Sequence, residues 1–334
     1  TNGCFSVAEL TLKVLATQIP NTFKRTYTEC DDFLDLNGNN NSNNNKRDGV
    51  TSFNFSSAAT AIKALLPVGN YTVTFYRNQA DALAEINIIT NISNYRNIGY
   101  QNTQEIWGRV DSDVDNACYG LGPYVSLTVE KLPFANIVTI PRQCDDNQDG
   151  IFTFNTANLE STLLNGQTNI TTTYFDSNNN PLPSPFPTTF STTSQTIKAV
   201  VTNNSTLKCY DDTLIKFTVD ALPQTFSIPT SLTTVCDDEL NPLLQDGKFA
   251  FDTTTFEGTI LKGQSGMVVK YFDQNGNPLT SPLPNPFLTG TQNIRVTVEN
   301  TANTLCKASL TIPFIVHPLP NINLNTNGNE NELV

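Results

Sequence analysis

An all-β fold built from tandem β-sandwich repeats is predicted for this chain of 334 residues, on three observations. Short apolar–polar alternations of strand length recur along it, and clusters of Asn, Gly and Pro separate them. One pattern of cysteines, aspartates and aromatics also returns three times. Composition agrees: charged residues make up 15%, long helices would need more Ala, Leu, Glu and Lys, and 20 Phe with 10 Tyr can supply sandwich cores.

In chain order, CFSVAELTLKVLATQIP (4–20) matches only the closing piece of the pattern, so 1–20 is read as the terminal strand of a preceding, truncated repeat. The first full repeat is 21–133, the second 134–223 and the third 224–320, with 321–334 as a linker into the next. Each copy begins Cys-Asp-Asp, continues through a polar loop to Asp-Gly, and then reads x-Phe-x-Phe or close to it. The loop is Asn-rich and long in the first copy (30–49), and short in CDDNQDGIFTF (144–154). A helix-like turn follows, NTANLESTLLN in the middle copy. NYTVTFY (70–76), TTTYFD (171–176) and VVKYFD (268–273) form one strand family. QEIWGRV (104–110), QTIKAVV (195–201) and QNIRVTV (292–298) form another, with Ile197, Ala199 and Val201 at inward positions. After a second cysteine, each copy closes on a strand ending in Leu-Pro. Several short strands with turn signals, at about 90 to 110 residues per unit, fit an immunoglobulin-like sandwich. Proline-stiffened connectors suggest an elongated array. The chain starts and stops at similar phases of the repeat, so the natural protein is expected to continue both ways.

The net charge of −12 and pI near 4.5 argue against nucleic acid and anionic membranes, because phosphate binding needs Lys/Arg clusters. No stretch approaches the roughly 20 apolar residues of a membrane span. TNGCFSVAEL lacks the basic start and apolar core of a signal peptide.

Seven cysteines at two recurring positions predict disulfides and an oxidising, extracytoplasmic setting. Two pairings preserve the repeat. Within a unit, Cys30–Cys118, Cys144–Cys209 and Cys236–Cys306 would join, leaving Cys4 for a partner upstream. Between units, Cys4–Cys30, Cys118–Cys144 and Cys209–Cys236 would join, leaving Cys306. Counting strand reversals from Cys144 returns the chain to its starting end at Cys209, which favours pairing within the unit.

Asp145-x-Asn147-x-Asp149-Gly150 matches the first half of an EF-hand loop, with Asp146 beside it, although Thr156 stands where the bidentate Glu would be. Calcium is therefore expected there, and more weakly at Asp31, Asp32 and Asp48 and at Asp237, Asp238 and Asp246. The alternative is an Asx-turn that starts the first strand. No other cofactor is expected. Catalysis is not: the lone His317 has no GxSxG partner, no HExxH or phosphate loop occurs, and the carboxylates recur with the repeat. Trp107 stands where the other copies place Lys198 and Arg295, which reads as a packed surface aromatic.

CDDNQDGIFTFN, the helical turn, TTTYFD, QTIKAVVTNNSTLKC, the Leu-Pro strand and FYRNQADALAE (75–85) together resemble repeats of large surface proteins of gliding Bacteroidota. Those proteins are exported by the type IX secretion system and include gliding-motility adhesins. The resemblance covers essentially the whole chain. It implies a non-enzymatic, extracellular adhesin or stalk at the cell surface. Its partners would be extracellular surfaces or polysaccharides, plus neighbouring repeats of the same chain, with no nucleic acid. It also implies O-glycan acceptors at Asp-Thr-apolar motifs, here Thr213 and Thr253. Alternatives are an accessory, polysaccharide-binding stalk of a secreted enzyme, or a self-assembling filament subunit.

Overall fold

The computed structural model describes residues 8, 17–115, 117–239, 241 and 243–320. Cys4, with most of the terminal strand expected at 1–20, and the linker expected at 321–334 lie outside the described residues. The first repeat runs β1 (Arg25–Cys30), β2 (Ser52–Phe53), α1 (Ser57–Lys63), β3 (Tyr71–Tyr76), α2 (Gln79–Ala84), β4 (Tyr95–Arg96), β5 (Thr103–Ser112) and β6 (Cys118–Glu130). The middle repeat runs β7 (Gln143–Cys144), β8 (Phe152–Asn155), α3 (Leu159–Leu164), β9 (Ile170–Phe175), β10 (Pro181–Leu182), β11 (Thr189–Thr192), β12 (Gln195–Asn203), β13 (Tyr210–Phe217) and β14 (Val219–Asp220). The third runs β15 (Thr234–Cys236), β16 (Lys248–Phe251), α4 (Phe256–Leu261), β17 (Met267–Phe272), β18 (Pro278–Leu279), β19 (Phe287–Gly290), β20 (Gln292–Asn300) and β21 (Asn303–His317).

Each repeat places a larger sheet against a two-stranded one. The orders are β1-β6-β5-β3 against β2-β4, β10-β9-β12-β13 against β8-β11, and β15-β21-β20-β17-β18 against β16-β19. The x-Phe-x-Phe strand supplies the core: Phe55, Phe154 and Phe251 are buried. They meet other rings edge-on, as in Phe55–Phe75 at 5.4 Å, Phe154–Phe217 at 5.0 Å and Phe251–Phe314 at 4.7 Å. The helical turn buries two apolar residues four apart in every copy: Ala58 and Ile62, Leu159 and Leu163, Phe256 and Ile260. Ile197, Ala199 and Val201 are fully buried, as their alternation predicts. The chain is all-β in class, with tandem immunoglobulin-like sandwiches and only short helices.

Two compact units can be drawn. One holds 1–136 with 161–173 and 199–213, and the other holds 137–160 and 174–198 with 214–334. The first and last strands of a repeat run parallel, with Cys30 opposite Glu130, Cys144 opposite Asp220 and Cys236 opposite His317. This direction decides where the cysteines can meet.

Candidate functional site: the junctions between repeats

The first cysteine of a repeat lies beside the end of the last strand, and the second lies at or near the beginning of that same strand. Cys118 and Glu130 bound β6, so at about 3.3 Å per residue the two cysteine positions of one repeat are roughly 40 Å apart. A disulfide spans at most about 7 Å between Cα atoms. Pairing within the unit is thereby excluded, and the observed bonds are Cys30–Cys209 and Cys144–Cys306, with Cα separations of 5.5 and 5.4 Å. The pairing between units drawn from spacing is also replaced. The first cysteines of the first two repeats, Cys30 and Cys144, join the second cysteine of the following repeat, while Cys118 and Cys236 are free thiols. The strand count failed because it began at Cys144 and left out β7, which lies parallel to β14 and sets Cys144 beside Asp220, at the end of the last strand.

Each junction lies inside one compact unit. In the first, the connector after Leu132-Pro133 is held by side-chain amides. Phe134 N–H donates to Gln167 Oε1 at 2.8 Å, and Gln167 Nε2 donates to Phe134 O at 2.8 Å. Asn203 Nδ2 donates to Glu130 Oε1 and Lys131 O, both at 2.9 Å. The second junction repeats this with Gln264 on Gln224 N–H (2.8 Å) and O (2.9 Å), and Asn300 on Ala221 O (2.9 Å).

Charge is placed differently in the two. Asp211, with a side chain only 5% exposed, pairs with Lys46 and with Arg47 Nη2 at 2.8 Å, and accepts the Ala135 N–H at 3.1 Å. Burial raises its carboxyl pKa, but the hydrogen bonds from Lys46 and Arg47 outweigh this and hold it below the ordinary value. The Arg47 guanidinium also stacks 3.9 Å from the Phe134 ring centroid. At the second junction Ala308 occupies the position of Asp211. Asp220 there takes a two-pronged contact from Arg142 (Nε 2.8 Å) and a bond from Asn303 Nδ2 at 2.9 Å. Arg142 is the main reason that the Asp220 carboxyl stays low.

The Cys-Asp-Asp and Asp-Gly ends of each loop clasp one another. Buried Asp31, Asp145 and Asp237 accept the N–H of Gly49 (3.0 Å), Gly150 (2.7 Å) and Gly247 (2.9 Å). Those glycines sit at φ of 74°, 80° and 69°, which only glycine adopts freely. Asp48, Asp149 and Asp246 then accept the N–H two residues on, at 2.7 to 2.9 Å. Around Asp31, burial, joined by the charges of Asp48 and Asp32, pushes the carboxyl up to about 6.

In the middle copy the EF-hand-like oxygens are engaged by the loop itself. Asp145 takes the N–H groups of Gln148 and Gly150, and Asp149 takes Ile151 N–H and Asn147 Nδ2, the arrangement of an Asx-turn. Asp146 is exposed. In the first copy Asp32 pairs with Arg96 at 2.5 Å. In the third, Asp237, Asp238 and Glu239 bring carboxylate oxygens within 4.8 Å of one another. The hydrogen bond to Asp237, then burial, pushes Glu239 up to about 7. Glu239 was not foreseen, because the residue after Cys-Asp-Asp is Phe33 in the first copy and Asn147 in the second, so no carboxylate recurs there. Asp246 is instead drawn to Lys248.

Thr253 cannot serve as a glycan acceptor in the folded chain, for its hydroxyl is buried and donates to Pro284 O at 2.9 Å. Thr213 is half-buried in β13. His317 is exposed at the end of β21, and Trp107 is half-buried opposite Tyr76. Sequence reasoning also missed Gln167 and Gln264; their signal was the recurrent Gly-Gln after the helix, at 166–167 and 263–264. No helix among the described residues is long and apolar enough to cross a membrane.

Among solved structures, insect hemolin is similar at 9% identity and TM-score 0.26, over 89% of this chain and 74% of that one. The human desmocollin-1 ectodomain follows at 10% and 0.21, over 76% and 56%, and human CDH23 EC21-23 at 10% and 0.23, over 75% and 90%. No curated protein matches. The family model described as the Flavobacterium inter-domain disulphide bond domain matches three times, at 26–133, 140–223 and 232–320. With its cysteines joined across consecutive repeats, the chain belongs to the Flavobacterium inter-domain disulphide bond domain family.

Proposed function

We propose that this chain is a non-enzymatic section of an extracellular bacterial surface stalk or adhesin, serving attachment or gliding, with its repeats welded in series. The observation that carries this reading is the bond from each repeat to the next. Such bonds persist in oxidising surroundings, supporting an extracellular location. The geometry that recurs sits in the junctions, where it serves mechanical continuity. Cys236 and Cys118 occupy the positions of bonded cysteines, and a following and a preceding repeat would complete them. Type IX export remains part of the proposal, resting on the repeat resemblance. The test is deletion of the parent gene in the producing bacterium, with protease shaving of intact cells. Loss of attachment or gliding together with surface exposure is expected; unchanged behaviour with a protease-protected protein would overturn the reading.

A polysaccharide-binding stalk is the second reading, favoured by an open cleft of about 610 Å³ in the first repeat, lined by Arg77, Asn78, Asp81, Asn87 and Tyr100. Retention on immobilised cell-surface polysaccharide that Tyr100→Ala abolishes would support it. Calcium is proposed for the third repeat at Asp237, Asp238 and Glu239. Added calcium should raise the melting temperature and Asp238→Asn should remove the rise; no shift at millimolar calcium would sink this part.

A further inference from the structure

The two disulfides do not close separate loops. Cys144 lies inside the loop closed by Cys30–Cys209, and Cys209 lies inside the loop closed by Cys144–Cys306. We propose that this overlap makes the stretch from Cys30 to Cys306 a fail-safe tether, which stays one covalent body after any single backbone cut and has a capped length under load.

The argument is one of connectivity. A cut between Cys30 and Cys144 leaves the pieces joined by Cys30–Cys209. A cut between Cys209 and Cys306 leaves them joined by Cys144–Cys306, and a cut between Cys144 and Cys209 leaves both bonds in place. Pairing within repeats would have left both connectors unspanned, and one cleavage there would have released everything beyond it. The chain presents places where proteases cut. Ile137 in the first connector is 80% exposed, Leu243 in the third loop 91%, and the Asn-rich loop is largely exposed.

The same wiring limits stretching. With every hydrogen bond broken, the shortest covalent path from Cys30 to Cys306 runs through Cys209, back to Cys144, and across to Cys306. That path contains about 65 residues, or roughly 220 Å fully extended, whereas the reduced segment of about 276 residues reaches roughly 940 Å. This goes beyond the surface-stalk reading and does not depend on it; a chain with another role would behave identically.

The test inserts a specific protease site at Ile137 in one version of the full chain and at Leu243 in another. Cleavage is taken to completion, as read on a reducing denaturing gel. Without reductant each cut chain should still run as a single molecule; separation into two fragments overturns the proposal. Cys209→Ser should release the fragments of the Ile137 version only, and Cys306→Ser those of the Leu243 version only; the opposite pattern overturns it too. The unsubstituted chain, stretched from its two ends, supplies a measurement that needs no variant. Reductant should lengthen the Cys30–Cys306 segment about fourfold, and an unchanged length refutes the cap.

Discussion

The two junctions share a neutral clamp and differ in their charges. Gln167 and Gln264 grip the connector backbone in the same way, and Asn203 and Asn300 close over the end of the preceding repeat. The first junction adds the buried carboxylate Asp211, answered by two cations from the Asn-rich loop. The second keeps its ion pair on Asp220 and Arg142. The amides and the disulfide thus define how any repeat follows another. The charges distinguish one neighbour from the next, since a misplaced Asp211 would be buried without Lys46 and Arg47.

The largest expected effect tests what is shared. Removing Cys30–Cys209 or Cys144–Cys306 by a Cys→Ser pair should cost about 5 kcal/mol in the chain-entropy model, nearly alike for both because their separations are 179 and 162. Denaturant unfolding of each variant checks this, and a large asymmetry would break the equivalence. Next comes pH at the first junction. The Asp31 carboxyl is raised from 3.8 to about 6, so the folded state holds a proton that the unfolded state releases. Stability from this site is present below about pH 4 and falls as pH rises to 6, by about 2 to 3 kcal/mol; Asp31→Asn should flatten that window in a pH series of thermal melts.

Smaller still is Asp211→Asn, expected to cost about 2 kcal/mol, because a hydrogen-bonded charge is lost beside two partly exposed cations. Its lowered carboxyl contributes above pH 3.8 and loses that contribution as pH falls below it, so Asp211 and Asp31 respond in opposite directions to acid. Ala308→Asp should gain nothing at the second junction, and a gain would show that the charge difference carries no specificity. Smallest are Gln167→Ala and Gln264→Ala, at about 1 kcal/mol each. Equal shifts in denaturation midpoint are expected; inequality would mean that the clamp is not interchangeable.

Repeats, strands and core were legible because they rest on local periodicity. Phe55, Phe154 and Phe251 alternate with exposed neighbours, and Ile197, Ala199 and Val201 show the period of two directly. Disulfide partners were not legible, because they depend on whether the first strand runs with or against the last, which no window of sequence reports. Spacing suggested ligands at Asp145, Asn147 and Asp149; the structure adds that the loop's own N–H groups donate to these same oxygens, which spacing does not report. Thr253 matched a three-residue motif while its hydroxyl was committed to a carbonyl 31 residues away. Lys46 and Arg47 reach a partner more than 160 positions on, a distance at which composition says nothing.

The clasp between the first Asp and the Asp-Gly glycine spans 18, 5 and 10 positions in the three copies, yet ends in the same bond each time. Closing a longer flexible loop adds little, about 1 kcal/mol between the shortest and the longest here. The clasp therefore acts as a socket that accepts inserts of unrelated size. A lineage could vary its outward face at these sites, one repeat at a time, while the sandwich beneath stays unchanged.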